Sequence, residues 1–227
     1  MIDTNNPVDS WNKHLDNNKK RIDELNNLKI KCLHYKNSLG TDLKIELLED
    51  SIWCAAATQG LVNMPSYEIF TSPNYRKTNG IVYSSRPLVY NGGLIDNFWL
   101  KFENGKVVEY DAEVGKEILK GILESDSNAS YLGEVALVEN NSPISNTGIV
   151  YGLTLIDENA SCHLALGDGF SECINIKCSK EEEYLEAGIN MSKVHVDFMI
   201  GTKDLEIIGE TFDNQKVKIF ENGNFKK

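Results

Sequence analysis

Apolar residues recur at helical spacing near the start of the chain. Val8, Trp11, Leu15, Ile22 and Leu25 share one face between Pro7 and Leu28. Pro7 suits a first helical turn, where its missing N–H costs nothing. This predicts an amphipathic helix over 7–28. The period then changes to two. Residues 29–35 alternate weakly, 42–48 alternate well, and 51–57 form a short apolar run, all strand-like. Gly40-Thr41-Asp42 supplies a turn between the first two.

Residues 94–102 and 106–110 flank Glu103-Asn104-Gly105. Asn and Gly both tolerate positive φ, so the step predicts a hairpin. Val114, Ile118, Leu119, Ile122 and Leu123 return to helical spacing within 113–124. Strands are expected at 131–138 and 149–155. A helix capped by Asp157 is expected over 157–166, and a short one over 181–187. A strand at 194–200 follows, then a last hairpin joining 205–209 to 216–220 around Asp213-Asn214. No repeat or low-complexity linker interrupts this order. It predicts one α+β domain over 1–227, a large, mostly antiparallel, curled sheet with a few packed helices.

Composition narrows the function. The chain has 227 residues, 41% of them hydrophobic, enough for a single core. Its net charge of -11 repels phosphate backbones, so no nucleic-acid partner is expected. No stretch reaches the roughly 18–20 apolar residues of a membrane span. The polar residues 1–20 lack the basic and apolar regions of a signal peptide. Cys32, Cys54, Cys162, Cys173 and Cys178 show no metal-type pair spacing, which fits reduced thiols in a cytoplasmic protein.

Several polar residues sit where apolar ones are the rule. In His195-Val196-Asp197, side chains two apart on a strand point the same way, so an imidazole and a carboxylate converge. The bland alternative is a polar pair on a solvated face. Yet Val194, Val196, Phe198, Met199 and Ile200 read as a buried strand, and buried His and Asp need partners. Glu158 and His163, five apart at the start of the expected helix, project about 140° apart and approach one site from neighbouring faces. Cys162 beside His163 raises a thiol nucleophile, but adjacent helical residues do not face each other. Cys162 reads better as a small core residue. Glu134 is a lone carboxylate in the apolar run 132–138; it faces outward, or a cation holds it ionised. Glu68 follows Met64-Pro65-Ser66-Tyr67 and says little alone. Together, Glu68, Glu134, Glu158, His163, His195 and Asp197 offer oxygen and nitrogen donors without thiolate. That set suits two hydrolytic divalent ions such as Zn²⁺, Co²⁺ or Mn²⁺. No phosphate-cradling glycine loop, Gly-x-Ser-x-Gly elbow or nucleotide fingerprint competes.

These segments, in this order, resemble the thermophilic metallo-aminopeptidase family, the group of aminopeptidase T, aminopeptidase S and PepS. The matching stretches are 63–71 around Glu68, Leu132-Gly133-Glu134-Val135-Ala136-Leu137-Val138, Asp157-Glu158-Asn159-Ala160-Ser161-Cys162-His163, and His195-Val196-Asp197-Phe198-Met199-Ile200-Gly201. Gly40-Thr41-Asp42 and Ser142-Pro143-Ile144-Ser145 match as well. The resemblance implies a two-metal aminopeptidase acting on peptides, with those six residues at the metal site and Glu134 bridging the ions. It implies catalytic roles for Glu134 and Glu158, and a homodimer as the oligomer to expect. The family's N-terminal α/β domain has no counterpart in these 227 residues, so this chain corresponds to the C-terminal catalytic domain. A tyrosine usual seven residues after the histidine is Phe170 here, expected at the substrate. The competing expectation is a metal-binding module that turns over nothing without the other domain or a partner.

Overall fold

A computed structural model describes residues 5–55 and 65–226. Helix α1 (Pro7–Leu28) opens the chain as expected. Its N-cap, Asn6, accepts a hydrogen bond from the Asp9 N–H at 3.3 Å, satisfying one orphan donor of the first turn. Strands β1 (Ile30–Lys36), β2 (Asp42–Glu46), β3 (Ile69–Thr71), β4 (Thr78–Tyr83), β5 (Leu88–Tyr90), β6 (Gly93–Glu103) and β7 (Lys106–Val114) follow, then α2 (Lys116–Leu123) and β8 (Leu132–Leu137). Two single-turn helices, α3 (Pro143–Asn146) and α4 (Thr154–Asp157), lead to β9 (His163–Gly167). The chain ends with α5 (Glu181–Ala187), β10 (His195–Met199), β11 (Glu206–Thr211), β12 (Lys216–Glu221) and β13 (Asn224–Phe225).

Two antiparallel sheets result. The large one runs β13-β12-β11-β1-β2-β4-β6-β5, with β7 also on β6; the small one runs β10-β9-β8-β3. The strand alternation read from the sequence explains their contact. Leu33, Tyr35, Leu43 and Ile45 turn inward from the large sheet to meet Leu137, Leu164, Leu166, Val196 and Phe198 from the small one. The Phe98 and Phe198 rings meet across the interface at 5.7 Å. The α+β class, the antiparallel sheet and the packed helices all match the sequence expectation. So does the hairpin at Asn104-Gly105, whose φ values of 49° and 87° need those residue types.

Two expected elements are corrected. Residues 149–155 form no strand: Ile149, Val150, Tyr151, Leu153 and Leu155 are exposed and lead into α4. Residues 157–166 are not a helix. One helical turn ends at Asp157, a 3₁₀ turn covers Glu158–Ala160, and β9 then enters the small sheet. Because β9 is buried on both faces, its sequence shows a continuous apolar run rather than alternation. Ladder pairing with β8 and β10 then overrides the helix propensity of Leu and Ala. Two boundaries also shift. β7 extends to Val114, so α2 begins at Lys116 rather than 113. In the run 51–57, Ser51 bridges Ile174 and Cys54 bridges Phe70, while residues 56 and 57 lie outside the described residues.

Candidate metal centre

Register decides which side chains of the small sheet share a face. Val135, Leu164, Leu166, Val196 and Phe198 turn toward the main core. On the other face, Glu134 and Asp197 both stand in register with Ala165 of β9. His163 lies two residues from Ala165, and His195 two from Asp197, so both imidazoles join that face. Glu68 sits just ahead of β3 and shares the alternation of Phe70, which is in register with Ala136. The small side chains of Ala136 and Ala165 leave space between the longer ones.

A β-bulge aims the central carboxylate. The pairing of β8 with β9 shifts between Leu132 and Glu134. The extra residue, Gly133, reverses the alternation, so Leu132 enters the core while Glu134 points to the opposite face. A Cβ on Gly133 would lie 1.9 Å from the Asp168 carbonyl oxygen, so only glycine fits there.

Six groups thereby converge from four segments. Glu68, Glu134 and His163 form one set; Glu134, His195 and Asp197 a second; Glu158, His163 and Asp197 a third. Within each set the donor atoms lie within 4.8 Å of one another. His195 Nε2 is 3.2 Å from a Glu134 oxygen and 3.0 Å from a Asp197 oxygen. His163 Nε2 is 3.1 Å from a Glu68 oxygen.

Both imidazoles are held by the nitrogen that faces away. His163 Nδ1–H donates to the Ser161 carbonyl at 3.2 Å, and His195 Nδ1–H to the Asp168 carbonyl at 2.8 Å. Each ring thus presents Nε2 to the carboxylates, the arrangement that prepares histidine as a metal ligand. The fit to a cation shows at His163. Its Nε2 is buried and, although a Glu68 oxygen lies 3.1 Å away, makes no hydrogen bond among the described residues. A buried nitrogen left so, beside the carboxylates of Glu68, Glu134, Glu158 and Asp197, fits a divalent ion well.

Protons help balance the charge of this cluster. Burial disfavours a charged His163, but Glu68 and Glu134 outweigh it and push the imidazole up to about 10. Burial likewise opposes charge on His195, and Asp197 and Glu134 hold it well above the usual histidine range. Burial raises Glu134 to about 7, with His195 opposing, and Glu158 to about 8, with His163 opposing. Asp197 moves the other way: burial would raise it, but His195 pulls it down. The His195 ring lies at the mouth, its side chain 28% exposed, against 0% for His163.

The family model for thermophilic metalloproteases, M29, matches residues 1–225. The chain belongs to that family. Aminopeptidase AmpS of Bacillus subtilis is 43% identical over 233 residues, covering 99% of this chain and 56% of that protein. The structure of wild-type AmpT from Thermus thermophilus aligns with a TM-score of 0.88 at 36% identity, covering 97% of this chain and 56% of the other. This metalloprotease-family chain therefore spans just over half the length of those relatives. A 2,5-dihydroxypyridine dioxygenase from Pseudomonas putida KT2440, at TM-score 0.60 and 15% identity, shares the fold alone. A metalloprotease family implies divalent metal cofactors, and the clustered carboxylates and imidazoles are the groups this chain offers them.

The route to the site differs from the sequence expectation at one point. Glu158 and His163 converge from a 3₁₀ turn and a strand, not from one helix. Cys162 is a core residue. Burial pushes its thiol up to about 12, and it donates to the Val138 carbonyl at 3.3 Å, so it suits no nucleophile. Phe170 does reach the site, its ring 5.1 Å from His195 and 4.9 Å from Phe70. Sequence reading missed Asp168, whose carbonyl orients His195, and Asn159, whose amide oxygen accepts from the Tyr67 N–H; a backbone acceptor leaves no trace in residue type. A cavity of about 560 Å³ beside α1, lined by His14, Arg21, Tyr67 and Glu139, contains none of the six groups.

Proposed function

We propose that residues 1–227 form the catalytic domain of a metallo-aminopeptidase, which hydrolyses the N-terminal peptide bond of peptides using two divalent ions. The observation that supports this best is the convergence of six carboxylate and imidazole groups on one face of the small sheet. Glu68 and His163 would hold one ion, His195 and Asp197 the other, and Glu134, common to both sets, would bridge them. The donor set suits Zn²⁺, Co²⁺ or Mn²⁺. Such a pair lowers the pKa of a water and polarises the scissile carbonyl.

The chain's own residues supply the rest. Glu158 belongs to the third set, with His163 and Asp197, and burial raises its proton affinity toward neutrality. It takes the proton of the attacking water and returns it to the leaving amine. Phe170, half-buried against Phe70 and His195, forms an apolar wall for the first side chain of the peptide. A free α-amine on the substrate finds the carboxylates of this cluster, which restricts cleavage to the first residue. The five cysteines form no disulfide among the described residues, which accords with a cytoplasmic setting; no helix among the described residues is long and apolar enough to cross a membrane. The test is hydrolysis of leucyl-p-nitroanilide by the folded chain loaded with Co²⁺ or Zn²⁺, with and without chelator. Absence of turnover from a folded sample with two bound ions would overturn the reading for this chain.

A further inference from the structure

Glu68 enters the site from just outside a strand. The first ladder pair of β3 is Ile69 with Leu137, so sheet register does not hold the backbone of Ser66 and Tyr67. Side chains hold it instead. The Ser66 carbonyl accepts from His14 Nε2–H at 2.7 Å and from Asn18 Nδ2 at 3.3 Å, and His14 stacks edge-on with the Tyr67 ring at 4.7 Å. These contacts clamp the segment from the α1 side. Ser66 itself has φ 62°, a left-handed conformation unfavourable for serine unless its surroundings impose it.

The clamp from the other side is Asn159. It is fully buried, directly follows Glu158, and lies 92 residues from its partner in sequence. Its Oδ1 accepts from the Tyr67 N–H at 2.5 Å, while its Nδ2 donates to the Leu155 carbonyl of α4 at 3.0 Å. One rigid amide thus joins the residue before Glu68 to the turn that carries Glu158. We propose that Asn159 is a positioning residue that sets the Glu68 and Glu158 carboxylates relative to His163, and so tunes the ion held by Glu68. This rests on the metal-binding reading above. An amide is suited to the task because it offers one donor and one acceptor at fixed separation without adding charge to an acidic cluster.

Titration of the folded chain with Co²⁺, followed by calorimetry and by the visible spectrum, tests it. Asn159→Ala removes both hydrogen bonds. It should weaken one of the two Co²⁺ binding events by about 10- to 100-fold, the usual effect of losing a residue that orients a ligand. The other event, at Glu134, His195 and Asp197, should stay within about 3-fold of wild type, well below that range. Asn159→Asp, isosteric and able to accept from Tyr67, covers the case in which the alanine variant does not fold; it should lie between wild type and alanine. Loss of fold alone lowers Tm without splitting the two affinities. Wild-type affinity for both ions in a folded Asn159 variant overturns the proposal. A wild-type chain that binds no Co²⁺ overturns the metal-binding reading instead.

Discussion

Glu134 and Asp197 occupy one row of the small sheet, on either side of Ala165, with which both are in register. The methyl group between two buried carboxylates leaves the volume a cation needs. Ala165→Leu should fill that volume. We expect metal content, measured by elemental analysis, to fall below that of the wild-type chain, toward zero. Overpacking of this kind costs about 1–3 kcal/mol, so the variant should still fold, with a lower Tm.

Ion uptake should release protons. The ion-free site holds protons on His163, pushed up to about 10, and on Glu158, pushed up to about 8. Ligation requires deprotonated donors, so cations and protons compete. Apparent affinity for Co²⁺ should therefore rise with pH between 6 and 9. Calorimetry in buffers of different ionisation enthalpy would measure the release; a buffer-independent heat would contradict it.

The stability of the ion-free chain should show the same linkage. The folded pKa of His163 is raised from 6.5 to about 10. Its contribution is complete below the unfolded value and is lost as pH rises through the folded one. Glu134 and Glu158 are raised from 4.5 to about 7 and 8, so the fold favours their protonated forms and loses stability as they ionise. All three act in one direction between about pH 5 and 10. The Tm of chelator-treated protein should fall over that range, and Co²⁺ should restore it most at the alkaline end. Asp197, held low, acts only in acid, below its usual carboxylate range.

Phe170 carries no hydroxyl beside His195. If a phenol there donates to the developing oxyanion, Phe170→Tyr should raise kcat on leucyl-p-nitroanilide by about 10-fold or more, since single donors of this kind contribute 10²–10³. KM should change little. An unchanged or lower kcat assigns the ring to apolar packing alone.

Much of the fold was readable locally. Helix 7–28 exposes one face, so its period is visible, and Asn104-Gly105 declares its own turn through positive φ. The site was legible as a set of donor types out of place in apolar runs, Glu134 and His195-Val196-Asp197 above all. The exposed segment 149–155 is misleading because its apolar residues have the composition of a ladder strand, though none of them is buried. The segment 157–166 misled because a strand buried on both faces has no period to show.

What the sequence determined by itself, then, was the inventory: which elements are amphipathic, where the chain turns, and which side chains can ligate a cation. Tertiary structure decided the meeting. It made β9 a strand, set Glu134 and Asp197 beside the same alanine, reversed Glu134 through the Gly133 bulge, and joined Tyr67 to Asn159 across 92 residues. The physical reason is range. Periodicity and turn chemistry act over a few bonds, whereas ladder register and buried polar pairing arise only once distant segments have packed.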